Sequence, residues 1–216
     1  MHSYQKHTVI SVRNLTDTVY VLRMTREELE FSPGQFITVG LLNNVHMREY
    51  SIYSGVKDDY LEILVKDIPQ GYLSSKLHQL SPGDEVRIEG PFGYFLLSEE
   101  HLSKPLHFIA TGTGISPFHC FVRSHDIDTY TLVHGVSYGH EQYEYEDYSR
   151  KNIIQCTSRD TGGNQHMRVT AYMKNKELEH NAEVFLCGNS AMIYDIFDLL
   201  TAKEKPSEHI HAEVYF

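Results

Sequence analysis

Two apolar runs in the second half of the chain end alike. "LHFIATGTG" (106–114) and "EVFLCGN" (183–189) both break into small residues and turn at once into a helical pattern. A strand that ends this way offers backbone N–H groups and a helix N-terminus to an anion, and lets a ligand approach the main chain. "ISPFHCFVRSHD" follows the first run. "SAMIYDIFDLLTAK" (190–203) follows the second, with Met192, Ile193, Ile196, Phe197, Leu199 and Leu200 at helical spacing. "YTLVHGVS" and "NIIQCTS" repeat the buried-strand theme between them. Strands alternating with helices imply a parallel sheet with right-handed crossovers, whose carboxyl ends face one crevice. Thr113, Gly114, Cys187 and Gly188 would share that crevice, with Asn189 or Ser190 capping the following helix. An inert core thiol is the other reading of Cys187. The first turn is not the G-x-G-x-x-G fingerprint, because Pro117 holds the third glycine's place.

The first half has a different rhythm. "HTVISVRNL", "VYVLRMT", "QFITVGLL", "REYSIYSG", "YLEILVKDI" and "DEVRIEG" are six strand-like runs, punctuated by the turns "SPGQ" (32–35) and "SPGD" (81–84). Only "YLSSKLHQL" (72–80) reads as helix there. Six short strands and one helix suggest a small closed barrel, which removes exposed sheet edges. The change of rhythm places a domain boundary near residue 102, and 216 residues suffice for two domains of about 100 each. Within the first half, "MREYSIYSG" (47–55) sorts aromatic and charged groups by strand face. It is either a half-buried strand or a surface for something flat and phosphorylated.

Composition closes off other classes. A formal charge of −10 argues against a nucleic-acid binder, which needs a basic face. No stretch approaches the ~20 apolar residues of a membrane span. The N-terminus, "MHSYQKHTVISVRNL", lacks the pattern of a secretory signal, so a cytoplasmic location is expected. Cys120, Cys156 and Cys187 lie too far apart for a disulfide framework or clustered zinc or iron-sulfur ligands. Redox chemistry would therefore need a bound organic cofactor. His209 and His211 stand without a third metal ligand at an obvious spacing, so no metal site is expected. The acidic, tyrosine-rich "GHEQYEYEDYSR" (139–150) reads as a solvated helix or loop.

"REYS" (48–51), "GYLSSKL" (71–77), "GPFG" (90–93), "ATGTGISPF" (110–118), "HGV" (134–136), "SR" (158–159), "CGNSAM" (187–192) and the terminal "EVYF" together resemble, in order and spacing, the ferredoxin-NADP reductase family of the short bacterial type. The resemblance covers the whole chain. It implies a six-stranded antiparallel FAD-binding barrel over 1–102, followed by an α/β parallel-sheet NADP-binding domain over 103–216. Carried over by position, Arg48 would pair with the FAD diphosphate, Tyr50 would stack on the isoalloxazine and Ser51 would hydrogen-bond near flavin N5. Ser74 matches a second diphosphate contact, an ordinary N-cap being its other reading. Glu49, Val65, Gly71, Tyr72, Leu73 and Thr113 complete the FAD set. For NADP the resemblance implies Thr113, Gly114, Ser137, Gly188, Asn189 and Met192, with Ser158, Arg159 and Arg168 at the 2′-phosphate. Ser137 stands where bacterial relatives often carry arginine.

Around the reacting atoms the resemblance places Ser51, Cys187 beside the nicotinamide, Glu213 near the flavin and Phe216 as an aromatic lid that moves aside. The implied activity is hydride transfer from NADPH to FAD and release of single electrons to ferredoxin or flavodoxin, by a monomer without nucleic-acid or membrane partners. A free-flavin or ferric-compound reductase of the same fold is the alternative enzyme, and a non-catalytic nucleotide-binding protein the alternative class.

Overall fold

A computed structural model describes residues 5–69 and 71–215, so the expected lid residue, Phe216, lies outside the described residues. The chain divides into two compact units. One comprises the residues up to Leu96 together with His119–His125, and the other Leu97–Phe118 and the residues from Asp126 onward.

All six strand-like runs of the first half form strands: β1 (Gln5–Asn14), β2 (Val19–Thr25), β3 (Phe36–Leu41), β4 (Met47–Ser51), β5 (Tyr60–Lys66) and β6 (Glu85–Phe92), with helix α1 (Tyr72–His78) between the last two. They make one antiparallel sheet in the order β4-β3-β6-β1-β2-β5. Its two ends meet: Ile52 bridges Ile63, and Tyr53 N–H donates to Glu62 O at 2.8 Å. The strand edges are therefore satisfied by closure. Alternate residues such as Leu22 and Met24, Ile37 and Val39, Ile63 and Val65, and Val86 and Ile88 fill the barrel core. Each such burial is worth roughly 1.5–3 kcal/mol. Glu62 is also buried, and Arg13 (3.4 Å) and Arg23 (2.8 Å) compensate its charge. The "SPGQ" turn needs its glycine. Gly34 has φ +92°, and a Cβ there would lie 1.9 Å from Phe95 O.

The second unit follows the expected alternation. In chain order the segments after Leu96 form α2 (Glu99–Leu102), β7 (Leu106–Thr111), a 3-10 turn (Gly112–Ile115) that runs into α3 (Ser116–Ser124), whose residues from His119 onward group with the first unit, then β8 (Tyr130–Val136), β9 (Ile153–Thr157), α4 (Val169–Lys174), β10 (Glu183–Asn189), α5 (Ser190–Ala202) and β11 (Ile210–Tyr215). The sheet is parallel, in the order β11-β10-β7-β8-β9. Phe108, Ile109 and Ala110 of β7 and Val184 to Cys187 of β10 are all fully buried, as expected of central strands covered on both faces. Helix α5 packs Met192, Ile193, Ile196 and Leu200 inward, while Phe197 stays exposed.

One expectation fails. The segment 139–150 is not a solvated element, because Tyr143, Tyr145 and Tyr148 are 2%, 7% and 4% exposed. Its acidic residues alternate with tyrosines that point inward, so charge count concealed a buried face.

Candidate functional site

In the barrel unit, β4 lies beside β3 with Arg48 opposite Val39, Glu49 opposite Thr38, Tyr50 opposite Ile37 and Ser51 opposite Phe36. Arg48 is exposed, and its guanidinium bonds only the Met47 carbonyl (2.9 Å) among the described residues. Glu49 is exposed as well. Tyr50 is half-buried against the barrel core; burial pushes its phenol up to about 12 despite the pull of Arg48, so the ring is neutral. Ser51 is buried.

Helix α1 begins after Gly71 with no side-chain cap, leaving first-turn N–H groups open. The Ser74 hydroxyl is already engaged, accepting Ile68 N–H at 3.2 Å and lying 3.5 Å from the Asp67 carboxylate. That carboxylate also takes the Ser75 hydroxyl (2.5 Å) and His78 Nδ1 (3.1 Å). The Ser75 bond, acting against partial burial and ahead of His78, holds the Asp67 carboxyl below its ordinary range. What Ser74 offers an anion is accordingly its backbone N–H. Val65 and Leu73 are buried core residues, while Tyr72 is half-exposed, its hydroxyl bonded to Asn44. An open guanidinium, an uncapped helical turn and a partly exposed ring are what a dinucleotide carrying a flat ring system would need, so these residues fit FAD.

In the α/β unit the two glycine turns touch through their main chains. A Cβ on Gly114 would lie 2.4 Å from Cys187 O and 2.6 Å from Gly188 Cα. One on Gly188, at φ +128°, would lie 2.5 Å from Thr111 Oγ1. That hydroxyl accepts Asn189 N–H at 3.0 Å, and Asn189 Oδ1 caps α5 by accepting Ala191 N–H at 3.0 Å. Thr113 O accepts the Ser116 hydroxyl at 2.7 Å, and Met192 is buried at the start of α5. Cys187 is fully buried and sits beside Glu213 in the β10–β11 register. Burial first, and the Glu213 charge second, push its thiol well above its ordinary value. It is a neutral thiol in packed surroundings.

Ser158, Arg159 and Arg168 are exposed. Backbone bonds tie this loop to the end of β8: Ser158 N–H donates to Val136 O (3.1 Å) and Arg159 N–H to Ser137 O (2.9 Å). Arg168 takes the cap position of α4. Neither guanidinium has an acceptor among the described residues, whereas Arg13 and Arg23 pair with Glu62, and Arg123 with Asp58 at 2.9 Å. Ser137 brings the opposite charge nearby. Its N–H and that of Tyr138 both donate to one Glu141 carboxylate oxygen at 2.7 Å.

Sequence reasoning missed two clusters. His134 bonds the Gly112 carbonyl and the Tyr145 hydroxyl; its "HGV" context was visible, but its partner lay in the segment read as solvated. Glu183, 1% exposed, accepts Lys104 (2.7 Å), His209 (2.9 Å) and His211 (2.8 Å). Burial alone would raise its carboxyl, yet the bonds from Lys104, His211 and His209 outweigh it and bring it to about 2. His101 also lies near, and with Glu183 and His211 makes a group close enough to hold an ion. Both Glu183 oxygens are already occupied, however, and His101 Nδ1 accepts Ser98 N–H at 3.2 Å, which leaves the proton on Nε2. The cluster reads as a compensated carboxylate that ties β11 to β10.

Residues 5–96 match the oxidoreductase FAD-binding domain and residues 108–197 the oxidoreductase NAD-binding domain. The flavodoxin/ferredoxin-NADP reductase of Escherichia coli (strain K12) is 32% identical over 212 residues, covering 87% of this chain and 86% of that one. The chain belongs to the ferredoxin-NADP reductase family. A Rhodobacter capsulatus flavodoxin/ferredoxin-NADP reductase is 39% identical over 121 residues, but the match spans 54% of this chain and only 45% of the relative's length. For the fold of this reductase family member, the crystal structure of a Neisseria gonorrhoeae ferredoxin NADP+ reductase with bound FAD and NADP superposes with TM-score 0.86 over 99% of both chains, at 23% identity. No helix among the described residues is long and apolar enough to cross a membrane.

Proposed function

We propose that this chain is an FAD-dependent reductase that exchanges electrons between NADPH and a ferredoxin or flavodoxin, with FAD on residues 1–102 and NADP(H) on residues 103–216. One observation carries the reading. In a chain of net charge −10, Arg48 in one unit bonds only the carbonyl of its neighbour Met47, and Arg159 and Arg168 in the other keep guanidinium groups without an acceptor, among the described residues. A fork of this kind suits phosphate oxygens, and both cofactors carry them.

When bound, FAD supplies a centre that accepts a two-electron hydride and passes electrons on singly. The chain's own residues bind and orient. Arg48 and the open turn of α1 hold the diphosphate, the neutral Tyr50 ring supports the flat ring system, and Ser51 offers a hydroxyl beside its reactive edge. On the nucleotide side, Thr113, Gly114 and Gly188 present main chain to the pyrophosphate, with Asn189 and Met192 behind them. Ser158, Arg159 and Arg168 take the 2′-phosphate. Cys187 contributes a neutral thiol beside the nicotinamide, Glu213 a carboxylate that shapes the site, and Phe216 the lid. The protein acts as a monomer in the cytoplasm.

Glu141 at Ser137 favours a second reading, in which discrimination against NADH is weak and the protein reduces free flavin or ferric compounds. Anaerobic bleaching of the bound flavin on mixing with NADPH or NADH separates the two. Much faster bleaching by NADPH supports the first reading; equal rates, or faster NADH, would move the second ahead.

A further inference from the structure

The Gly112 turn is held from within by a buried relay that the proposed chemistry does not use. His134 lies on β8 opposite Ala110 of β7 and has no exposed surface. Its Nε2 is 2.8 Å from the Gly112 carbonyl oxygen, and its Nδ1 is 2.7 Å from the Tyr145 hydroxyl. A carbonyl oxygen only accepts, so Nε2 carries the proton; Nδ1 keeps its lone pair and receives the Tyr145 O–H. One tautomer satisfies both ring nitrogens. Burial, opposed by the Gly112 bond, lowers the pKa of His134 to about 4, so the ring is neutral at pH 7.

The consequence lies on the other side of the peptide. In a planar trans peptide unit the C=O and the N–H point in opposite directions. Drawing the Gly112 carbonyl inward therefore aims the Thr113 N–H outward. Gly112 adopts φ +53°, and nothing lies within 4 Å of where its Cβ would stand, so the turn is open on that side. Thr113 N–H is also in the first turn, which no side chain caps among the described residues. Without the relay this peptide could rotate, since glycine resists it least.

We infer that His134, buttressed by Tyr145, is a positioning residue for the nicotinamide nucleotide: it fixes the Gly112–Thr113 peptide so that its N–H meets the pyrophosphate. The inference rests on the reading that this unit binds NADP(H). The segment that supplies Tyr145 thereby acquires a task, and its burial a reason.

Two ligands separate the roles on the FAD-loaded protein. NADP+ reaches both the glycine turn and the arginines, whereas 2′-phospho-AMP lacks the second phosphate and the nicotinamide. His134→Leu should weaken NADP+ about three- to tenfold, the worth of one well-placed hydrogen bond, and move 2′-phospho-AMP less than about twofold. His134→Gln, whose amide can donate to the same carbonyl, should restore most of the loss, and Tyr145→Phe should fall between. Equal losses for both ligands, no loss with His134→Leu, or a His134→Gln variant as weak as His134→Leu would overturn the inference in favour of simple packing. A wild-type protein that binds NADH but not 2′-phospho-AMP would instead defeat the NADP reading beneath it. Should the leucine variant not fold, 15N spectroscopy of the wild-type ring still decides. A neutral Nε2–H tautomer persisting at pH 6 is expected, and an Nδ1–H tautomer or ordinary titration near 6.5 would overturn the assignment.

Discussion

On the proposed reading, the barrel unit and the α/β unit would meet phosphate in opposite ways. The barrel would rely on a side chain, Arg48, on a strand whose backbone is occupied with β3, plus one uncapped turn of α1. The α/β unit would rely on main chain, and it brings Gly114 and Gly188 so close that neither position has room for a methyl group. A side-chain site can lose its function while keeping its fold. A main-chain site cannot, because the same atoms supply both.

The sharpest way to break this contrast is to place a methyl in the main-chain site. Gly114→Ala should cost about 2–4 kcal/mol of stability, because its Cβ meets backbone that cannot step aside, and urea unfolding would read it. A loss below about 1 kcal/mol would show that the turns yield, and the contrast would go.

Acid offers a second probe of the main-chain site. The unfolded chain protonates a histidine near 6.5, while folded His134 resists until about 4. The folded state therefore binds fewer protons across that window. Stability contributed by His134 is complete above pH 6.5 and falls as pH drops toward 4, by up to about 3 kcal/mol. Glu183 acts in the next window down: its folded carboxyl titrates at about 2, so its contribution is complete above 4.5 and is lost between 4.5 and 2. A urea-midpoint series from pH 7.5 to 4 should slope in wild type and flatten in His134→Gln; parallel curves would reject the buried-neutral assignment.

Arg48→Ala should then weaken FAD about ten- to a hundredfold, or ~1.5–3 kcal/mol, with apo-protein stability unchanged. Dilution followed by flavin fluorescence measures it, and full retention would remove Arg48 from the diphosphate. Arg159→Ala should raise KM for NADPH by a similar factor while leaving NADH unchanged, and equal changes would argue against the 2′-phosphate. The smallest effect is expected from Glu141→Gln, which removes a negative charge beside Ser137. A rise of about two- to fourfold in NADPH preference, in line with ~0.5–1 kcal/mol for a solvent-screened charge interaction, is expected in the ratio of kcat/KM values.

Much of this was legible because it is local. Period-two runs with glycine turns marked all six barrel strands, and continuous apolar runs ending in small residues marked the central parallel strands. The unreadable parts depend on register. Cys187 meets Glu213 only because β10 and β11 align as they do, and Glu183 gathers Lys104, His209 and His211 from separate stretches of chain. The Ser74 hydroxyl looked available until Asp67 and Ile68 were seen to occupy it. Tyr143, Tyr145 and Tyr148 were hidden by the acids between them, since composition averages over a segment whereas burial selects one face.

The Glu183 cluster anchors β11 at one end. The clamp sits at the root of the strand, where His209 and His211 grip a carboxylate at the first residue of β10. From there six paired positions, Ile210 to Tyr215, run along β10 toward the glycine turn at Gly188. On the proposed reading, substitutions at Val214 and Tyr215 would alter what the strand presents to the nucleotide while the clamp at its root stays seated.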